Sequence, residues 1–159
     1  MNPNQLSRII IRGFKSIREC DLELGNLNVI IGANGAGKSN LISFFRLIQQ
    51  MLDQKLQVFS AWMGGPDSML HFGRKVTPEL SFELCFGENR YSGVLRATQD
   101  NRLNFFNEKL AIRDRWQDAS GHFESHFNVL ANIDSGLFKG FNAMKNWRVY
   151  HFHDTGETS

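Results

Sequence analysis

Apolar residues along this chain follow different periods, and each change of period marks an element. Residues 6–13, LSRIIIRG, form a β-branched run ending at Gly13 and predict a first strand. In 16–25, SIRECDLELG, Cys20, Leu22 and Leu24 alternate with Glu19, Asp21 and Glu23, the pattern of a half-buried antiparallel strand. LNVII, 27–31, reads as a continuous apolar run and predicts a strand buried on both faces. From 38 to 56, Leu41, Phe44, Phe45, Ile48 and Leu52 recur at helical spacing. Residues 57–78 are broken by Gly64-Gly65-Pro66 and read as loop with a short helical turn. Beyond Pro78 the period returns to two: 79–87, 90–98 and 102–114 predict three strands joined by turn-prone GEN and QDN, a β-meander within 79–116. The polar stretch 117–135 is ambiguous, 136–147 predicts a short helix, and 147–155 a closing strand.

The 159 residues fit one domain or one lobe of a larger one. Fourteen Phe and three Trp supply a core and argue against disorder. The net charge of +2 permits contact with nucleic acid without arguing for it, since no dense Lys/Arg tract stands out. No apolar run is long enough for a membrane helix, and no leader-like N-terminus is evident. Cys20 and Cys85 stand alone in strand segments, which suits a reducing, cytoplasmic setting.

The chemistry concentrates in VIIGANGAGKSN, 29–40. Gly32, Gly37, Lys38 and Ser39 satisfy G-x-x-x-x-G-K-[ST], a phosphate-binding loop. Gly32, Gly35 and Gly37 let backbone N–H groups approach an anion with no Cβ in the way. A helix starting near Lys38 points its free amides and positive dipole end at the same anion. Lys38 can reach the β- and γ-phosphates, and the Ser39 hydroxyl can ligate Mg²⁺. The motif sits where it must, after an apolar run and before an amphipathic helix.

Residues around the loop carry a resemblance. IIIRGFKSIRECDLEL followed by LNVIIGANGAGKSNLISFF resembles the N-terminal lobe of the RecF/SMC-like branch of ABC-type ATPases, through Phe14, Lys15, Ser16, Asn34, Gly35 and Asn40. It resembles still more the predicted ATPases labelled AAA_21 or AAA_15, an OLD-like and anti-phage defence group, with further similarity in 64–75 and 147–159. The resemblance implies an α/β P-loop NTPase lobe: a mixed sheet around the P-loop helix, with an antiparallel β-subdomain beside it. It implies ATP and Mg²⁺ as ligands, held by Lys15, Ser16, Gly32, Asn34, Gly35, Ala36, Gly37, Lys38, Ser39 and Asn40, with Ser39 on the metal. It places the Lys15–Ser16 turn near the nucleotide; a solvated turn lysine is the plain alternative. A glutamine-bearing loop follows the last strand of this lobe in the family. HFHDT, 151–155, occupies that position without a Gln, leaving His153 or Asp154 to order a water, or a polar strand end with no such role.

The later ATPase motifs are missing. An apolar strand ending in Asp-Glu is absent; NVLANID, 128–134, has Asn132 inside the run and Ser135 where the Glu belongs. No LSGGQ-like signature is present either. The expectation is therefore an ATP-binding lobe that hydrolyses ATP only when completed by a second lobe and a dimer partner, acting on DNA or an effector protein, with no membrane partner. The ending HDTGETS fits a cloning boundary, a truncated product or a split protein. The alternative is a non-catalytic nucleotide-sensing or interaction module using aromatics such as Trp62, Trp116 and Trp147, residues that ordinary packing would also explain.

Overall fold

The computed structural model describes residues 5–113, 115–127 and 144. Strands β1 (Arg8–Phe14) and β2 (Ile17–Glu23) form a hairpin. Helices α1 (Lys38–Leu52), α2 (Leu56–Trp62) and α3 (Pro66–Met69) follow. Strands β3 (Glu79–Phe86), β4 (Asn89–Ala97), β5 (Leu103–Ile112) and β6 (Arg115–Ala119) complete the described elements. All six strands join one antiparallel sheet in the order β2-β1-β3-β4-β5-β6. The expected hairpins at 79–114 are present, and β6 extends them. The first hairpin shares their sheet, through β1 against β3. So the described residues show one antiparallel sheet beside the P-loop helix, where a mixed sheet and a separate antiparallel subdomain were expected.

Residues 27–31 depart furthest from expectation. They form no strand, and Leu27, Val29 and Ile31 are 84%, 77% and 87% exposed. The expectation of a strand buried on both faces is not met, because an apolar run reports a preference for burial and not the neighbours that would supply it. Among the described residues, no strand pairs with it, since β1 is the partner of β2 and the sheet ends there. A second departure is α2, which occupies the first part of the expected loop.

Alternation puts Ile9, Ile11, Leu80, Phe82, Leu84, Tyr91, Leu95, Phe105 and Leu110 on one face of the sheet, all buried. Helix α1 supplies the opposite wall with Leu41, Phe44, Leu47, Ile48, Met51 and Leu52. Phe44 meets Phe14 and Phe82 edge-on, with centroids at 5.6 and 5.9 Å. Gly93 lies under Phe82, where an added Cβ would come within 2.6 Å of the ring. The other face carries exposed ion pairs, Arg8–Asp21, Arg12–Glu19 and Arg96–Glu79, each a small contribution in water. No described helix is long and apolar enough to cross a membrane.

The sheet's far end is closed by polar contacts. Glu108, fully buried on β5, accepts from Tyr91 Oη at 2.6 Å, Ser125 Oγ at 2.5 Å and the His126 amide at 2.8 Å. His122 Nε2 lies 2.8 Å from Oε2, the oxygen that also takes the His126 amide. Burial and the neighbouring Glu108 charge push the Tyr91 phenol well above its ordinary pKa. Glu124 meanwhile accepts from the Leu56 and Gln57 amides, capping α2 from a distant part of the chain. Together these acids fasten 122–126 to the sheet and to the helices. Glu108→Ala strands several buried donors at once. Urea denaturation is expected to show a loss of about 1–3 kcal/mol or more, the scale for leaving a buried donor without its acceptor.

Candidate nucleotide site

Two stretches of chain, distant in sequence, are fastened together at the start of α1. The first is the turn between β1 and β2. Lys15 takes a left-handed φ of +48°, held by its amide donating to Met69 O at 2.9 Å and its carbonyl accepting from His71 Nδ1 at 2.6 Å. That carbonyl can only accept, so Nδ1 carries the proton. Asn40 Nδ2, on the first turn of α1, donates to Ser16 Oγ at 2.6 Å and ties this turn to the loop. Partial burial lowers the Lys15 ammonium pKa.

The second is the loop itself. Gly35 and Gly37 adopt φ of +87° and +93°, the left-handed backbone that glycine takes without strain. A Cβ on Gly37 would stand 3.4 Å from Ser16 Oγ, so loop and turn are in near contact. Gly37 is the N-cap of α1 and makes no side-chain cap, and the first turn holds no acidic residue. The leading amides of such a helix have no intrahelical acceptor and favour an anion. Lys38 Nζ folds back over the loop, donating to the carbonyls of Gly32 and, at 2.7 Å, Ala33. Asn34, Gly35 and Ala36 form the exposed tip, and Ser39 is exposed on the first turn. A cleft of about 440 Å³ runs along the loop, walled by Ile17, Cys20, Leu22 and Leu41. Glycine-lined backbone, a lysine within reach, a hydroxyl one residue on and a first helical turn without an acid together fit a Mg²⁺-bound triphosphate; the cleft's one acid, Glu19, is paired with Arg12.

The described residues thus bring Lys15, Ser16, Gly37, Lys38 and Asn40 together beside the tip residues. His153 and Asp154 lie outside the described residues. The sequence gives no role at this site to His71, which sets the Lys15 turn, or to its neighbour Phe72. Neither falls in a periodic run; the only signal was their place in the 64–75 stretch that carried part of the resemblance.

Residues 5–141 match the model of the AAA ATPase domain family. The chain belongs to that family. It is 36% identical over 87 residues to the DNA replication and repair protein RecF of Aliivibrio fischeri (strain MJ11), a match covering 54% of this chain and 24% of that protein. The RecF of Aliivibrio salmonicida is 34% identical over the same shares. An uncharacterized protein of Methanocaldococcus jannaschii, MJECL10, is 27% identical over 135 residues, covering 76% of this chain and 59% of that one. The chain spans about a quarter of the length of the RecF relatives it matches. The family is one of P-loop ATPases and implies nucleotide binding, although the antiparallel sheet described here is not the parallel sheet typical of P-loop proteins.

Gly37→Ala tests the local geometry. A side chain forced into left-handed backbone is expected to cost about 1–2 kcal/mol, read as a lower urea midpoint at unchanged slope.

Proposed function

We propose that this chain is the ATP-binding lobe of a RecF/SMC-like ATPase. The observation that carries the reading is Lys38 poised over a left-handed glycine loop at the uncapped start of α1. In this reading the amides of 35–39 and Lys38 hold the phosphates, while Gly32 gives the loop its close backbone. Ser39 supplies its hydroxyl to Mg²⁺, which neutralises phosphate charge when bound. Asn40 positions Ser16, and the Lys15 ammonium adds positive charge at the edge of the cleft. Turnover requires groups supplied from elsewhere: an acidic pair after an apolar strand, a signature loop, and a dimer partner or complementing second lobe. The exposed 27–31 segment supports that requirement, since a run of this composition is stable as a strand only between neighbours. We place the activity in DNA repair or anti-phage defence, with DNA or an effector protein as the downstream partner, in the cytoplasm.

A second reading is favoured by Trp62 and Trp116, 74% and 65% exposed. Ordinary core packing does not account for them, and they suit a non-catalytic nucleotide-sensing or interaction module.

Titration calorimetry and phosphate release distinguish the two. The chain is expected to bind Mg·ATP without turnover, and Lys38→Ala to weaken binding at least tenfold, a loss of about 1.4 kcal/mol or more. Hydrolysis is expected only after a second lobe carrying the acidic strand is supplied. Turnover by the 159-residue chain alone would overturn the incomplete-site reading. Turnover absent even from the completed form would favour the module.

A further inference from the structure

The turn after α3 presents an aromatic ring to solvent on a strained backbone. Phe72 has φ of +57° and is 79% exposed. Left-handed backbone is unusual for so bulky a residue, because its Cβ crowds the following carbonyl. The neighbours on both sides enforce it. The His71 amide donates to Gly13 O at 3.0 Å, the Gly73 amide donates to Leu70 O at 3.0 Å, and Leu70 is bridged to Phe14. His71 Nδ1 is meanwhile engaged by Lys15 O, and the two rings meet edge-on with centroids 4.4 Å apart. Surrounding structure that holds a residue in such a conformation points to a use for it.

The ring lines an open cleft of about 620 Å³ with Lys15, Ser16, Asp67, Leu70 and His71. Ser16 also lines the cleft along residues 36–38, so the two clefts meet at that side chain. Several polar groups in the first cleft are already engaged. Asp67 accepts from the Arg74 amide and from Arg74 Nε, both at 2.9 Å, and Ser68 Oγ donates to Gly64 O at 3.2 Å. That leaves the open cleft with the Phe72 ring, the Lys15 ammonium, the second carboxylate oxygen of Asp67, and the second ring nitrogen of His71 as an acceptor in the neutral ring. A flat apolar surface flanked by a cation, a carboxylate oxygen and a ring-nitrogen acceptor suits a heteroaromatic base and not a second polyanion.

We propose that this cleft is the base pocket of the nucleotide site, with Phe72 as the platform on which the heteroaromatic base of a nucleoside triphosphate stacks. The proposal rests on the reading that residues 32–39 hold the phosphates. The strained turn keeps the ring from folding inward, so the platform stands formed before the ligand arrives. Lys15 and His71 stand at its rim, joined to the phosphate loop through Ser16 and Asn40.

Calorimetry on the whole chain with two probes, Mg·ATP and magnesium tripolyphosphate, separates base from phosphate recognition. Phe72→Ala is expected to weaken Mg·ATP about tenfold, the scale of one base stacked on one ring, and to leave tripolyphosphate unchanged. Phe72→Trp, which keeps a stacking face, is expected to retain ATP affinity. Unchanged ATP affinity in Phe72→Ala, or equal loss for both probes, would overturn the base pocket while leaving the phosphate loop intact. Binding of neither probe by the unsubstituted chain would overturn the phosphate-loop reading and this proposal with it.

Discussion

Helix α1 packs on the sheet around Phe44, and the site depends on that packing. Phe44 meets Phe14 and Phe82 edge-to-face, with Gly93 leaving room beneath Phe82. Such pairs add about 0.5–1.5 kcal/mol beyond the area they bury. Their larger effect is positional. Phe14 is the residue before Lys15, and Phe44 lies within two turns of Lys38 on a rigid helix. The contact therefore brings the β1–β2 turn and the glycine loop into the same place. Asn40 and Ser16 need only complete an alignment that the core has already set.

How legible this was in the sequence depended on whether a feature was local. Alternation in 79–112 fixed three strands, because each needs one buried face and short turns leave few pairings. The stripe from Leu41 to Leu52 fixed α1 for the same reason. Phe45, expected inward, is only partly buried, while Leu47 and Met51 complete the stripe. The glycine loop was legible because its residues must be consecutive. What could not be read were features built from long-range partners. Glu108 looks like an ordinary polar position on a strand, yet it gathers donors from β4 and from the 122–126 segment. His71 acts through a carbonyl far away in sequence. The 27–31 segment was read as buried because composition reports preference for burial, and its neighbours are not among the described strands.

The acids illustrate how differently one residue type can act in this fold. Asp21 and Glu19 pair with arginines on a wet face, where separation is cheap. Glu124 supplies α2 with the acceptor that Lys55, at its N-cap, cannot. Glu108 sits where no water competes, so its donors have nowhere else to turn. Stability at this end of the sheet is concentrated in one carboxylate. At the loop end it is spread through packing, which leaves the glycine backbone free of any structural duty beyond its own turn.

The uncovered 27–31 segment also has a consequence for how molecules of this chain behave together. It is short, uncharged, rich in β-branched residues and free of proline, and apart from Asn28 its exposed side chains are apolar. Those are the properties of a sequence that pairs with copies of itself. The stretch that leads into the phosphate loop is therefore also a liability in concentrated solution. A body that docked there would shield these side chains from self-association.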